Sequence, residues 1–197
     1  MNLPNKLTVL RIVLVAVFML FLFSQGVMAK MLALVTFLAA SLTDFLDGYI
    51  AKKNNMITDF GKLMDPIADK ILILAAFLAF VEMELAPAWM VVIIIFREVT
   101  ITGLRISALT KGKVIAADDG GKHKMVSQVF AVSAVLIFLI FREAEIKVFG
   151  LLWSGSAERV YKDAIFILML ATTLLTLISG ISYLIKNRGI YFNAKTN

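Results

Sequence analysis

The segment from Leu42 to Lys70, LTDFLDGYIAKKNNMITDFGKLMDPIADK, holds Asp44, Asp47, Asp59, Asp65 and Asp69. Asp44 and Asp47 are three residues apart, and Asp65 and Asp69 are four apart. On helical backbone each pair presents two carboxylates on one face. The loop between the pairs is short, so four carboxylates are drawn toward one point. Four clustered anions repel one another and need a cation at neutral pH. Oxygen donors without cysteine or histidine partners suit hard divalent ions such as Mg²⁺ or Mn²⁺. Two such ions about 3.5–4 Å apart can clamp both the attacking and leaving oxygens of a phosphoryl displacement. The bland alternative is four solvated aspartates at a loop edge, with Asp65 capping a helix ahead of Pro66. That alternative suits one aspartate better than four at this spacing. Asp59 falls outside the pattern and reads as a loop residue. Gly48, Ala51 and Gly61 sit beside the acidic positions, where small side chains let a bulky ligand or a second helix approach.

The elements that must position these residues are read from composition. Hydrophobic residues make up 60% of the 197 and charged residues 17%, against about 25% charged in an ordinary soluble domain. The apolar excess calls for lipid as a second solvent. The absence of cysteine rules out a disulfide framework or thiolate metal site. A net charge of +6 in so apolar a chain points to a membrane surface or anionic ligands rather than nucleic acid. Continuous apolar runs predict an all-α, polytopic membrane protein with six transmembrane helices. They fall near residues 7–23, 27–50, 66–81, 89–109, 125–141 and 164–185. One membrane domain accounts for residues 1–197. The first run reads as a span and not a cleaved signal, because no small-x-small site follows it.

Lys and Arg in the short loops set the orientation. Lys52, Lys53 and Lys62 lie between spans two and three. Arg105, Lys111, Lys113, Lys122 and Lys124 lie near the facing ends of spans four and five. Lys6, Arg11, Lys186, Arg188 and Lys195 flank the termini. The other side carries Lys30, Glu82 and Glu84, with a third loop of mixed sign. Both termini and the aspartate loop are therefore predicted cytoplasmic. Within span four, Arg97 and Glu98 interrupt the run VVIIIFREVT; charge inside a span faces the bundle interior. The bland reading of Arg97 is a buried ion pair with Glu98 or an aspartate. His123 reads as solvated in a basic loop, Asp118–Gly121 as a turn, and Trp89 and Trp153 as interfacial belt residues.

Taken in order, Asp44-x2-Asp47-Gly48-x2-Ala51-Lys52-x8-Gly61-x3-Asp65-x3-Asp69 resembles the signature of the CDP-alcohol phosphatidyltransferase family, with every spacing in agreement. The family usually has arginine where this chain has Lys52, which keeps the charge but loses the bidentate fork. The opening Asn2–Arg11, Ser41–Ile50, Arg97-Glu98-x3-Thr102-Gly103-Leu104-Arg105 and Gly121-Lys122-x-Lys124 resemble the bacterial phosphatidylglycerophosphate synthase branch. The resemblance implies that Asp44, Asp47, Asp65 and Asp69 bind two divalent cations, Mg²⁺ or Mn²⁺, and that Asp69 is also the general base. It implies CDP-diacylglycerol as donor, bound by Asn5, Thr8, Arg11, Gly48, Ala51, Lys52 and Gly61. It implies glycerol 3-phosphate as acceptor, its phosphate met by Arg97, Arg105, Lys122 and Lys124. It further implies a homodimer in the bacterial inner membrane with its active site at the cytoplasmic face. The signature alone leaves inositol phosphate or serine open as acceptor. A divalent-cation transporter is the alternative of a different class, against which stands the clustering of the carboxylates at one face.

Overall fold

The computed structural model describes residues 3–54, 59–110, 119–149 and 155–188, with side chains described over 10–43, 70–108, 124–144 and 158–188. Six helices fill it: α1 (Leu3–Phe23), α2 (Val27–Asn54), α3 (Asp59–Glu82), α4 (Ala88–Thr110), α5 (Asp119–Phe149) and α6 (Gly155–Lys186). No strand occurs among the described residues. Runs rich in Leu, Ala and Met favour helix over strand, and the breaks fall where the backbone is interrupted. Gly26, at φ +97°, makes the α1–α2 turn in a region that L side chains rarely adopt. The α3–α4 turn closes with Leu85 N–H donating to the Phe80 carbonyl at 2.8 Å, and Pro87 follows just before α4.

Side-chain contacts give the directions. Phe18 of α1 meets Phe37 of α2 with ring centroids 5.8 Å apart, and Phe138 late in α5 meets Tyr161 early in α6 at 4.8 Å. Lys70 midway along α3 bonds Thr102 past the middle of α4, and the short 83–87 turn reverses the chain between them. Consecutive helices are thus antiparallel, and the end of α2 shares one end of the bundle with the start of α3, the end of α4, the start of α5 and the end of α6. Helix α1 packs on α2 and α3, α5 packs on α2, α3 and α6, and α4 packs on α3 and α6.

The core is apolar, centred on Phe18, Phe37, Phe77, Phe80, Met90 and Leu136. The outside is apolar as well: Leu20 is 70% exposed, Phe96 72% and Val126 67%. Meanwhile Arg11, Lys30, Glu98, Lys124, Gln128 and Thr176 are buried. Large apolar side chains facing out over a polar-seamed interior suit lipid as the surrounding solvent. Helices α5 and α6 each contain a stretch long and apolar enough to cross a membrane, Lys124–Ala144 and Glu158–Lys186.

Helix ends differ from the apolar runs. Helix α3 begins at Asp59, not near Pro66, and α5 and α6 extend past their runs at both ends. Hydropathy marks the lipid-matched part of a helix, while the backbone hydrogen-bond ladder continues into polar flanks. Asp65 consequently lies inside α3 rather than capping it, and Asp59 belongs to the helix rather than a loop. Asp119–Gly121 open α5 instead of forming a turn, and His123 is helical too.

Candidate active site

Helix α4 carries the buried charge. Phe96 points out, while the side chains of Arg97 and Glu98 are 10% and 4% exposed. A 100° step per residue turns the helix from its outer face to its inner one within two positions. Glu98 is a hub. Its Oε1 accepts from Lys124 of α5 and lies 3.3 Å from Arg97 Nη1, and its Oε2 lies 3.8 Å from Lys70 Nζ of α3. Lys70 also donates to Thr102 Oγ1, whose own hydroxyl donates to the Glu98 backbone carbonyl at 2.7 Å. Three helices thereby send cations to one carboxylate.

Helix α6 forms the other wall. Arg97 Nη2 donates to Ser179 Oγ at 3.0 Å. The stem of Arg97 runs so close to Gly180 that a Cβ there would lie 2.9 Å from Arg97 Cγ. One turn on, Arg105 Nε donates to the Tyr183 hydroxyl at 3.3 Å, and the guanidinium carbon sits 5.3 Å from that ring's centroid. Deeper in the bundle Gln128 of α5 donates to Thr176 at 3.5 Å. Among the described residues the buried Nε of Arg97 has no hydrogen-bond partner. Among the described residues the site gathers four cationic side chains around one carboxylate, an excess of directed donors that suits a multiply charged anion.

The expected site residues fall as follows. Arg97, Arg105 and Lys124 come together here, as does Lys70, which the sequence reading passed over although it directly follows Asp69. Arg97 is paired with Glu98, as its bland reading held, yet it keeps further donors. Arg11 is buried on α1. Asn5 and Thr8 lie on α1, Lys122 on α5, Asp44, Asp47, Gly48, Ala51 and Lys52 on the last part of α2, and Gly61, Asp65 and Asp69 on the first part of α3. The side chains of this last group, including all four aspartates, lie outside the described residues. Among the described residues no group of three or more histidine, cysteine or acidic side chains is gathered to hold a metal. Ser179, Gly180 and Tyr183 were missed. Their sequence signal was a Ser-Gly pair and a tyrosine in an otherwise apolar run.

Comparison with known proteins identifies the family. Residues 1–191 match the family model for CDP-alcohol phosphatidyltransferase. A CDP-diacylglycerol–glycerol-3-phosphate 3-phosphatidyltransferase of Bacillus subtilis is 45% identical over 148 residues, 69% of this chain and 77% of the relative. The protein of that name from Rickettsia bellii is 35% identical over 184 residues, covering 92% and 93%. A probable phosphatidylglycerophosphate synthase of Mycobacterium tuberculosis is 36% identical over 188 residues, covering 94% and 81%. With a family model matched over residues 1–191 and relatives at 35–45% identity covered over more than two thirds of their length, the chain belongs to the CDP-alcohol phosphatidyltransferase family.

Proposed function

We propose that this enzyme transfers the phosphatidyl group of CDP-diacylglycerol to sn-glycerol 3-phosphate, giving phosphatidylglycerophosphate and CMP. The observation that carries the acceptor assignment is the basic cluster of buried Lys124 with the partly buried Arg97, Arg105 and Lys70. It suits an acceptor that brings its own phosphate, and the relatives named above are glycerol-3-phosphate enzymes. An acceptor such as serine has no phosphate for such a cradle to hold.

Members of this family depend on divalent cations. The donor set fits: helical backbone carries Asp44 and Asp47 three apart on α2, and Asp65 and Asp69 four apart on α3, so each pair shares a helix face. These four would hold two cations, Mg²⁺ or Mn²⁺, which when bound neutralise the charge on the pyrophosphate and the departing CMP. Asp69 takes the proton from the acceptor hydroxyl. The oxygen so freed attacks the lipid-side phosphorus, and the bond from that phosphorus to the CMP oxygen breaks. Gly48, Ala51 and Gly61 leave room for the nucleotide, with Lys52 beside its phosphates and Asn5, Thr8 and Arg11 reaching the head group from α1. Arg97, Arg105, Lys122 and Lys124 hold the acceptor phosphate so that its hydroxyl faces Asp69.

The shortest helix, α1, has 21 residues, about 32 Å at 1.5 Å per residue. That matches a hydrocarbon core of about 30 Å and supports six spans. With both termini on the basic side, the aspartate end faces the cytoplasm of a bacterial inner membrane. A homodimer through the membrane helices fits the family resemblance. The test is CMP release by the purified chain in detergent with CDP-diacylglycerol and Mg²⁺ or Mn²⁺. Release should require glycerol 3-phosphate, and Asp69→Asn should abolish it. Release with serine and not with glycerol 3-phosphate would overturn the acceptor assignment.

A further inference from the structure

Glu98 is 3% exposed and divides its two oxygens among cations from α3, α4 and α5. Three long basic side chains have no reason to converge in an apolar bundle. They repel one another at low dielectric, and each loses rotamer freedom on being held. One carboxylate offsets both effects. It also ties Lys70, the neighbour of Asp69 on α3, to the Arg97 and Lys124 wall. We infer that Glu98 is a positioning residue: it holds Arg97, Lys124 and Lys70 in the arrangement that receives the acceptor phosphate, without touching the acceptor itself. The inference rests on the acceptor reading above.

A carboxylate in an anion site also repels the anion. Its presence therefore helps only if the order it imposes on the cations outweighs that repulsion, and the two effects have opposite signs in the acceptor KM. Glu98→Gln keeps the shape and one acceptor oxygen but removes the charge. If ordering dominates, the acceptor KM rises about tenfold or more while the KM for CDP-diacylglycerol stays within about twofold. Glu98→Asp, which keeps the charge on a shorter stem, recovers part of the loss. Because Glu98 acts through its partners, Glu98→Gln adds less than about threefold when Lys124→Gln is already present.

The experiment is steady-state CMP release by the full chain in detergent, with glycerol 3-phosphate varied, for Glu98→Gln, Glu98→Asp, Lys124→Gln, Arg97→Gln and the Glu98→Gln/Lys124→Gln double variant. An unchanged or lowered acceptor KM in Glu98→Gln overturns the positioning role, as does full additivity in the double variant. If Glu98→Gln alone does not yield folded protein, Glu98→Asp takes its place: an acceptor KM raised severalfold at unchanged CDP-diacylglycerol KM supports the positioning role, and an acceptor KM at wild-type level overturns it. If Arg97→Gln and Lys124→Gln both leave the acceptor KM at wild-type level, the acceptor reading fails and the positioning role falls with it. If they raise it and Glu98→Gln does not, only the positioning role fails.

Discussion

The two ends of the bundle treat buried cations differently. At the end where α1 turns into α2, Lys30 is 4% exposed. Its ammonium donates to the carbonyls of Leu22 at 2.6 Å and Ser24 at 2.9 Å. Those carbonyls close α1, so the cation also meets the negative end of a helix dipole. Beside it Glu143 of α5 accepts from the Gly26 amide at 3.3 Å. That cation is satisfied by its own backbone. At the other end Arg97 spends one bond on Glu98 and one on Ser179, and its Nε has no partner among the described residues. A buried ammonium held by two helix-end carbonyls is a structural charge. A buried cation left with an unpartnered donor is the one that the proposed acceptor role would use.

The widest separation between the two ends is expected from single substitutions. If Arg97 holds the acceptor phosphate as proposed, Arg97→Gln removes a charge-assisted bond worth about 1.5–3 kcal/mol. We expect kcat/KM for glycerol 3-phosphate to fall roughly 13- to 160-fold, with the thermal midpoint in detergent changed little. Lys30→Met should do the reverse. It strands two carbonyls and removes a dipole partner, lowering stability by about 2 kcal/mol, which thermal unfolding would register. At a temperature where the variant is folded, its kcat/KM should match wild type. A Lys30→Met enzyme that is stable but impaired for acceptor would erase the distinction.

Gly180→Ala probes how tightly the reserve is held. The added Cβ would lie 2.9 Å from Arg97 Cγ, closer than carbon atoms pack, so either the stem or α6 must shift. An overpacked contact of this kind costs about 1–3 kcal/mol. Because the strain falls on Arg97, we expect the acceptor KM to rise by about tenfold with CDP-diacylglycerol kinetics unchanged. A loss shared equally between the two substrates would mean that the helix moved and not the arginine.

How much of this was legible in the sequence depends on how each residue advertises itself. The six helices were, because each is built on a continuous apolar run with no strand-like alternation, and so was the inward-facing Arg97, because an arginine after VVIIIF has nowhere neutral to go. The family signature was legible because its residues are tied by spacing along two adjacent helices. Lys70 was not. A lysine directly after Asp69 carries no signal of its own, and only its contact with Thr102 and Glu98 reveals it as part of the α4 wall. Gly180 was also hidden, since a glycine among Ile and Ser reads as helix packing until the arginine stem against it is seen. Lys30 was taken for a loop charge that sets topology, whereas it is a buried tie between α1 and α2. Single charges carry the same letter whether they are solvated, structural or functional, and only their partners separate these cases.

The smallest expected effect sharpens the comparison most finely. Tyr183 meets Arg105 in two ways: its hydroxyl accepts from Nε at 3.3 Å, and its ring lies 5.3 Å from the guanidinium carbon. Tyr183 is only 2% exposed, so both contacts are made away from bulk water. Tyr183→Phe removes the hydrogen bond and keeps the ring, at a loss of about 0.5–1.5 kcal/mol if the bond orders Arg105. The acceptor KM should rise about two- to tenfold. Tyr183→Leu removes the ring as well, adding the cation–π contribution of about 0.5–2 kcal/mol. If Arg105 is a ligand donor like Arg97, the two variants should form a graded series in acceptor KM at similar kcat. If it is a satisfied cation like Lys30, the series should appear in thermal stability and leave the kinetics flat.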